Sequence, residues 1–441
     1  MVVPKFRFPE FMGKGSWTEI KFIDVADKKT KWSFTGGPFG SDLKSSDYVY
    51  DGVRIIQLQN IGDAEFINDY KIFTSKKKAD ELLSSNIYPG EIILSKMGDP
   101  VGRACLIPAF HPRYVMCSDG IRLVVDEKRF SKYFIYTLIN SIQFRSLVEK
   151  NAIGSTRKRI GLDDLKNLPM VVSNDPKEQQ KIAACLSSLD DLIAAHTQKL
   201  DTLKAHKKGL MQQLFPAERE KIPNLRFEEF NRTGEWKETS LINVADKKIK
   251  WSFTGGPFGS NLKSSDYVPV GIRIIQLQNI GDGEFLDEYK IYTSEEKANE
   301  LLSCNIYPGE IILSKMGDPV GRACLIPQSS KRYVMCSDGI RLVVDEEKYS
   351  KYFIYTLINS KHFRPLIEKT ATGSTRKRIG LDDLKNLPMI VPDKLGEQQK
   401  IASCLSSLDE LITAQAEKIE QLRMHKKGLM QGLFPVPKES N

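Results

Sequence analysis

The strongest constraint on this 441-residue chain is that it contains itself twice. Trp32-Ser33-Phe34-Thr35-Gly36-Gly37-Pro38-Phe39-Gly40-Ser41 recurs from Trp251 to Ser260. Cys117-Ser118-Asp119-Gly120-Ile121-Arg122 recurs from Cys336 to Arg341, and His206-Lys207-Lys208-Gly209-Leu210-Met211 from His425 to Met430. Every copy lies 219 residues after its original, so no gap separates the first motif from the last. A period this long is not a solenoid repeat; the chain is two copies of a two-part module.

The second part of each module is a helix with a narrow apolar seam. In the first copy the seam runs Ile182, Leu186, Leu189, Ile193, Leu200, Leu203, Leu210, Leu214; in the second, Ile401, Leu405, Leu408, Ile412, Ile419, Leu422, Leu429, Leu433. Steps of four and three sustained over about five heptads are a coiled-coil pattern. His196 and Lys207, with Gln415 and Lys426, are its polar positions, and Pro216 and Pro435 stop the helices. A single amphipathic helix ordinarily packs on its own domain. Two copies with so narrow a seam are expected to pair with each other, antiparallel, over roughly 50–55 Å.

The first part mixes short β-branched runs with turns. Arg54 to Gln59, Glu91 to Ser95 and the alternating Ile121 to Asp126 read as strands, bounded by Gly36-Gly37-Pro38, Pro89-Gly90 and Asp119-Gly120. One amphipathic helix is expected over Lys132 to Lys150, with Phe134, Leu138, Ile139 and Leu147 on one face. The expected fold class is α+β: two similar domains separated by two long antiparallel helices in a coiled coil, with pseudo-two-fold symmetry. The boundaries are 1–172 and 217–391 for the domains, and 173–216 and 392–441 for the helices.

Several classes of chemistry are missing. There is no G-x-x-x-x-G-K-[S/T] phosphate loop, and Gly36-Gly37-Pro38-Phe39-Gly40 is not a dinucleotide fingerprint. The Asn-Pro-Pro-aromatic tetrapeptide typical of adenine methyltransferases does not occur. Of five histidines only His206 and His425 recur, on the helices, so neither a metal site nor a histidine-based triad is supported. The repeated Gly98-Asp99-Pro100 and Gly317-Asp318-Pro319 read as turns. The seven cysteines form no C-x-x-C pair, and Cys304 is matched by Ser85, so buried free thiols are expected. No apolar run approaches the roughly 18 residues that span a membrane, and the N-terminus has no signal-peptide core, so a cytoplasmic protein is expected.

The formal net charge of +9 is modest, but its sign favours a polyanionic partner. The densest basic clusters are Gly154-Ser155-Thr156-Arg157-Lys158-Arg159 and Gly373-Ser374-Thr375-Arg376-Lys377-Arg378, where cations, hydroxyls and a glycine suit phosphate contacts. A basic triplet alone is a weak signal, and outside the repeat a solvated basic loop is the better reading. Lys96 and Arg103, with Lys315 and Arg322, flank the Gly-Asp-Pro turns, and arginine can fork onto guanine or form a structural ion pair. The stretch from Thr35 to Ser41 with Gln57 and Gln59, and that from Thr254 to Ser260 with Gln276 and Gln278, can pair with adenine. As strand residues Gln57 and Gln59 would share one face.

Taken in order, these motifs resemble one family over essentially the whole chain. A domain is followed by Gly154-Ser155-Thr156, Asn167-Leu168-Pro169, Glu178-Gln179-Gln180-Lys181-Ile182-Ala183 and Leu214-Phe215-Pro216. The order recurs as Gly373-Ser374-Thr375, Asn386-Leu387-Pro388, Glu397 to Ala402 and Leu433-Phe434-Pro435. It resembles the specificity subunits of type I restriction-modification systems. The resemblance implies a non-catalytic protein that binds no cofactor and whose two target-recognition domains each read half of a split site in double-stranded DNA. It implies two adenine methyltransferase subunits carrying S-adenosylmethionine, and two translocase-nuclease subunits using ATP and Mg. A DNA-reading subunit of a related methylating system, or a coiled-coil adaptor without DNA specificity, are the competing readings. Members of the family usually carry two unlike domains; these two are close copies, so the expected target is a bipartite palindrome or within one base of it.

Overall fold

A computed structural model describes residues 2–218, 220–374 and 376–437. The chain divides into two compact units, residues 1–198 with 417–441, and residues 199–416. The division falls inside the two long helices, Pro176–Leu214 and Leu395–Leu433, each of 39 residues. Each unit is therefore one domain, the first half of one long helix and the second half of the other.

In unit 1 a five-stranded sheet has the order Tyr48–Val49, Ile72–Thr74, Val53–Ile56, Tyr114–Met116, Asn86–Ile87, with one parallel pair at its centre. An antiparallel four-stranded sheet has the order Phe34–Gly36, Gly120–Leu123, Ile92–Ser95, Ala104–Leu106. Ile56, Ile87, Ile93, Cys105, Tyr114 and Met116 are packed in one buried cluster that draws on both sheets. Unit 2 repeats both sheets in the same order.

A larger core joins domain to helices. In unit 1 Trp17, Phe134, Ile182, Leu186, Leu433 and Phe434 are buried together, and in unit 2 Trp236, Phe353, Ile401, Leu405, Leu214 and Phe215. Within unit 1, Ile182 and Leu186 share this core with Leu433, while Asp190 further along accepts Lys426 Nζ at 2.5 Å. The two helix segments thus run antiparallel. In unit 2 Lys207 Nζ bonds Asp409 at 2.5 Å in the same manner. The polar seam lysines are consumed by these ion pairs, and Tyr133 and Tyr352 add their hydroxyls to the same carboxylates. Ile182, Leu186, Ile401, Leu405, Ile419 and Leu422 are buried; Leu189, Ile193, Leu200, Leu203, Leu408 and Ile412 are half-buried.

The Glu-Gln-Gln motif that opens each helix has a structural purpose. Glu178 is 1% exposed and accepts Arg7 Nε at 2.6 Å, Trp17 Nε1 at 3.1 Å and Ser173 Oγ at 2.5 Å. Gln179 accepts the Ser131 amide at 2.9 Å and donates to the Ser173 carbonyl at 2.8 Å. Glu397 holds Arg226 at 2.7 Å and Trp236 at 3.0 Å in the other unit. One buried carboxylate thus fastens the start of the chain repeat, the domain and the helix to each other.

Three local expectations are corrected. The Arg54 to Gln59 run is a strand only to Ile56; Leu58–Asn60 is a 3-10 turn closed by the Asn60 side chain on the Gln57 amide at 2.9 Å. Gln57 and Gln59 therefore do not share a strand face. The Lys132 to Lys150 helix is two helices, Lys132–Ile139 and Ile142–Lys150, because Ser141 caps the second through the Phe144 amide. In the apparently alternating Ile121 to Asp126, the strand ends at Leu123 and Arg122 points inward. Its guanidinium is satisfied by Glu91 at 2.6 and 2.7 Å, which is how a cation is accommodated 5% exposed.

Candidate nucleic-acid interface

The turn Cys117–Gly120 is the hub on which the sequence-selected loops converge. The Cys117 amide bonds the Ile56 carbonyl at 2.9 Å, which places Gln57 beside it. The Gly37 amide bonds the Gly120 carbonyl at 2.8 Å, and a Cβ on Gly37 would overlap the Cys117 carbonyl oxygen, so only glycine lets the Thr35 to Ser41 loop sit this close. The Lys96 amide bonds the Asp119 carbonyl at 2.6 Å, and the Asp119 carboxylate pairs with Arg159 at 2.9 Å.

The basic cluster is the tip of a hairpin. Ile153 and Arg159 exchange both backbone bonds at 2.8 Å, and Lys158–Arg159 also pairs with Met97–Gly98. Gly154, at φ +117°, makes the turn, since a Cβ there would crowd the Arg157 carbonyl. Ser155, Thr156 and Arg157 are exposed at the tip. Lys158 is tied to Glu149 at 2.8 Å. Arg157 pairs with no carboxylate among the described residues.

Unit 2 repeats the arrangement. Gly256 sits on Cys336, the Lys315 amide bonds the Asp338 carbonyl at 2.6 Å, and Arg378 pairs with Asp338 at 2.6 Å. Ser374, Arg376, Lys377 and Arg378 are exposed; Thr375 lies outside the described residues. Thr35, Gln57, Thr254 and Gln276 are half-buried, and Ser41, Gln59, Ser260 and Gln278 are exposed.

Two selected positions in each unit are less available than their chemistry suggests. Arg103 and Arg322 are half-buried, each with Nε enclosed and unpartnered, and Arg103 Nη2 lies under Gly98. Lys96 and Lys315 are half-buried, with their backbones built into the hub. Sequence reasoning missed Asp119 and Asp338, which join the hairpin to the hub. The Cys-Ser-Asp-Gly repeat was the signal. Burial pushes the Cys117 and Cys336 thiols up to about 11, so the hub cysteines are neutral packing groups at ordinary pH.

Sequence comparison matches residues 15–205 and 261–424 to the type I restriction modification DNA specificity domain. The chain belongs to that family. It is 25% identical over 392 residues to the type I restriction enzyme MjaVIII specificity subunit of Methanocaldococcus jannaschii, covering 88% of this chain and 83% of that one. It is 24% identical to a putative type I restriction enzyme MjaX specificity subunit of the same organism, covering 86% and 85%. The fold is that of the type I restriction-modification S subunit from M. genitalium, with a TM-score of 0.55 at 15% identity over 98% of this chain and 99% of that one. DNA sequence recognition is the work of this family. Among the described residues no helix is long and apolar enough to cross a membrane, and no group of three metal-ligating side chains is found.

Proposed function

We propose that this chain is the sequence-reading, non-catalytic subunit of a type I restriction-modification complex, and that its two hubs read the same bases in the two halves of a split DNA site. The observation that carries the proposal is the convergence, in each unit, of the glycine-rich loop, Gln57 or Gln276 and the basic hairpin on one turn. Hydroxyls, amides and cations on one such end supply both base-edge and phosphate contacts. The residues are the same in both units, so the bases read are the same. A bipartite near-palindrome follows, with one methylated adenine in each half on opposite strands.

In this reading two adenine methyltransferase subunits supply S-adenosylmethionine and the transfer chemistry. Two translocase-nuclease subunits supply ATP and Mg chemistry, and this chain binds none of these cofactors. The curated relatives, both named as specificity subunits, support the assignment of role. Single-molecule methylome sequencing of a host with and without the gene tests it. The expected result is one new motif made of two inverted half-sites that agree to within one base at a fixed spacing. Two unrelated half-sites would mean that the few residues that differ between units carry base specificity.

A further inference from the structure

We propose that Phe39 and Phe258 are aromatic wedges that enter the base stack, one in each half of the DNA site. The inference rests on the DNA-reading role proposed above and adds to it a mechanical step. Phe39 is 82% exposed and Phe258 83%, more than any other phenylalanine among the described residues. Neither ring has a ring or cationic partner among them.

The mount beneath each ring is fixed. Phe34–Gly36 is bonded to Gly120–Leu123, the Gly37 amide is tied to the hub, and Pro38 is buried. Immediately after the ring, the Asp42 amide returns to the Phe39 carbonyl at 2.9 Å, and Asn261 does the same for Phe258 at 2.8 Å. Backbone anchored on both sides keeps the aromatic group displayed rather than letting it fold back.

The surroundings identify the occupant. Ser41, Asp42 and Lys44 follow Phe39 closely in sequence and are exposed, with the Ser41 hydroxyl donating to the Asp42 carboxylate, and the basic hairpin is joined to the same hub through Asp119 and Arg159. A protein-docking face would gather apolar neighbours around a central aromatic. Here a single exposed phenylalanine is followed by polar and charged side chains, and the one carboxylate among them, Asp42, is a neutral Asn261 in the second copy. That combination suits nucleic acid, where the cations meet phosphates and the ring meets the face of a base. Methyl transfer to the exocyclic N6 amine requires the adenine to leave the stack, and a ring inserted at that step offsets part of the lost stacking.

The test uses the assembled methyltransferase complex and a duplex of the methylome-defined site, with 2-aminopurine placed at successive positions. The wild type is expected to raise the fluorescence at one position in each half. In F39A with F258A that rise should be largely lost, and affinity should fall by about tenfold per ring. In F39W with F258W both should be retained. An alanine variant that keeps the full rise and the wild-type methylation rate overturns the wedge while leaving the DNA-reading role intact. Failure of the alanine variant to assemble with methyltransferase in the absence of DNA overturns it in favour of a protein contact. A wild-type complex that does not bind the duplex overturns the DNA-reading role, and the wedge with it.

Discussion

Unit 1 and unit 2 share their main anchoring contacts, and the places where they part are instructive. Arg7, Glu178 and Trp17 correspond to Arg226, Glu397 and Trp236, and Asp190 with Lys426 to Asp409 with Lys207. The divergences sit mostly at the foot of the domain and in outer turns. Ile142–Lys150 is a nine-residue helix capped by Ser141, whereas Arg364–Thr370 starts later, with Pro365 at its second position. Gln143 donates to the Gln431 and Phe434 carbonyls at 3.0 and 2.7 Å, whereas His362 stands at the equivalent place. Gly432, whose missing Cβ makes room for the Phe6 ring, corresponds to Gln213. At the reading end the differences are Asp42 against Asn261 and, at the base of the hairpin, Ile153 against Thr372. Packing at the foot has drifted while the chemistry of the hub has not, which is what two copies reading one half-site require.

The largest expected effect comes from separating the copies. Unit 1 is completed by residues 417–437, and the segment 198–216 carries the same side chains at the main packing positions: Lys207 for Lys426, Leu210 for Leu429, Phe215 for Phe434. A chain stopped after Pro216 leaves that seat empty. A continuous stiff helix from Pro176 to Leu214 cannot fold its own end back into it. Such a chain is expected to dimerise, and light scattering should give twice the monomer mass; a monomer breaks the equivalence of the two helix ends. Q213G, which restores space for Phe6, should tighten the dimer.

Next in size is the buried carboxylate. E178A leaves Arg7 and the Trp17 indole without their acceptor in a water-excluded site, a loss of about 3–5 kcal/mol. Hydrogen exchange should show unit 1 loosened and unit 2 unchanged, and E397A should give the mirror result. Equal loosening of both units by either variant would show that they do not fold as separate cooperative bodies.

Much of this was legible in the residues, and what was not has a physical reason. The duplication, the helices and the polar seam lysines follow from spacing alone, because a period of 219 and a heptad are visible in any contiguous sequence. The break at Asn140-Ser141 was not, because Phe134, Leu138 and Leu147 fit one helical face even though Ser141 restarts the backbone. Gln57 to Gln59 reads as extended because Ile55 and Ile56 precede it, but the Asn60 side chain closes a turn there. The burial of Arg122 is not readable from the alternation of Ile121 to Asp126, because its partner Glu91 lies 31 residues away in sequence. For the site, the loops were recognisable by composition, but their common anchor, the Cys117–Gly120 turn, is purely a product of long-range hydrogen bonds.

A smaller effect distinguishes the basic hairpins from the glycine-rich loops. Lys158 and Arg159 are partly committed to Glu149 and Asp119, so Arg157 is the hairpin cation most available for phosphate. R157A and R376A should weaken DNA binding on all sequences alike. Each should flatten the salt dependence by up to about 0.9 in log–log slope, with the two effects equal and additive. A changed preference among bases would move the hairpin from affinity to readout. Unequal slopes would break the symmetry of the two reading ends.

The smallest expected effect is a pH dependence confined to unit 2. Burial holds the His362 imidazole below its ordinary value of 6.5, against the opposing pull of the Ala217 and Pro216 backbone and of Glu218. Its Nδ1 is enclosed without a partner. When pH falls through 6.5 the unfolded chain takes up a proton that folded unit 2 resists, so the folded state loses ground. The contribution of His362 is therefore fully present above that pH and is lost on acidification. Gln143, at the same place in unit 1, does not titrate. Hydrogen exchange at pH 7.5 and 5.5 should show the foot of unit 2, around 360–370 and 211–217, becoming less protected in acid relative to the matching segments of unit 1. H362Q should abolish that difference, and Q143H should transfer it to unit 1. If H362Q leaves the acid sensitivity of unit 2 in place, the asymmetry between the units comes from the Pro365 helix start rather than from the imidazole.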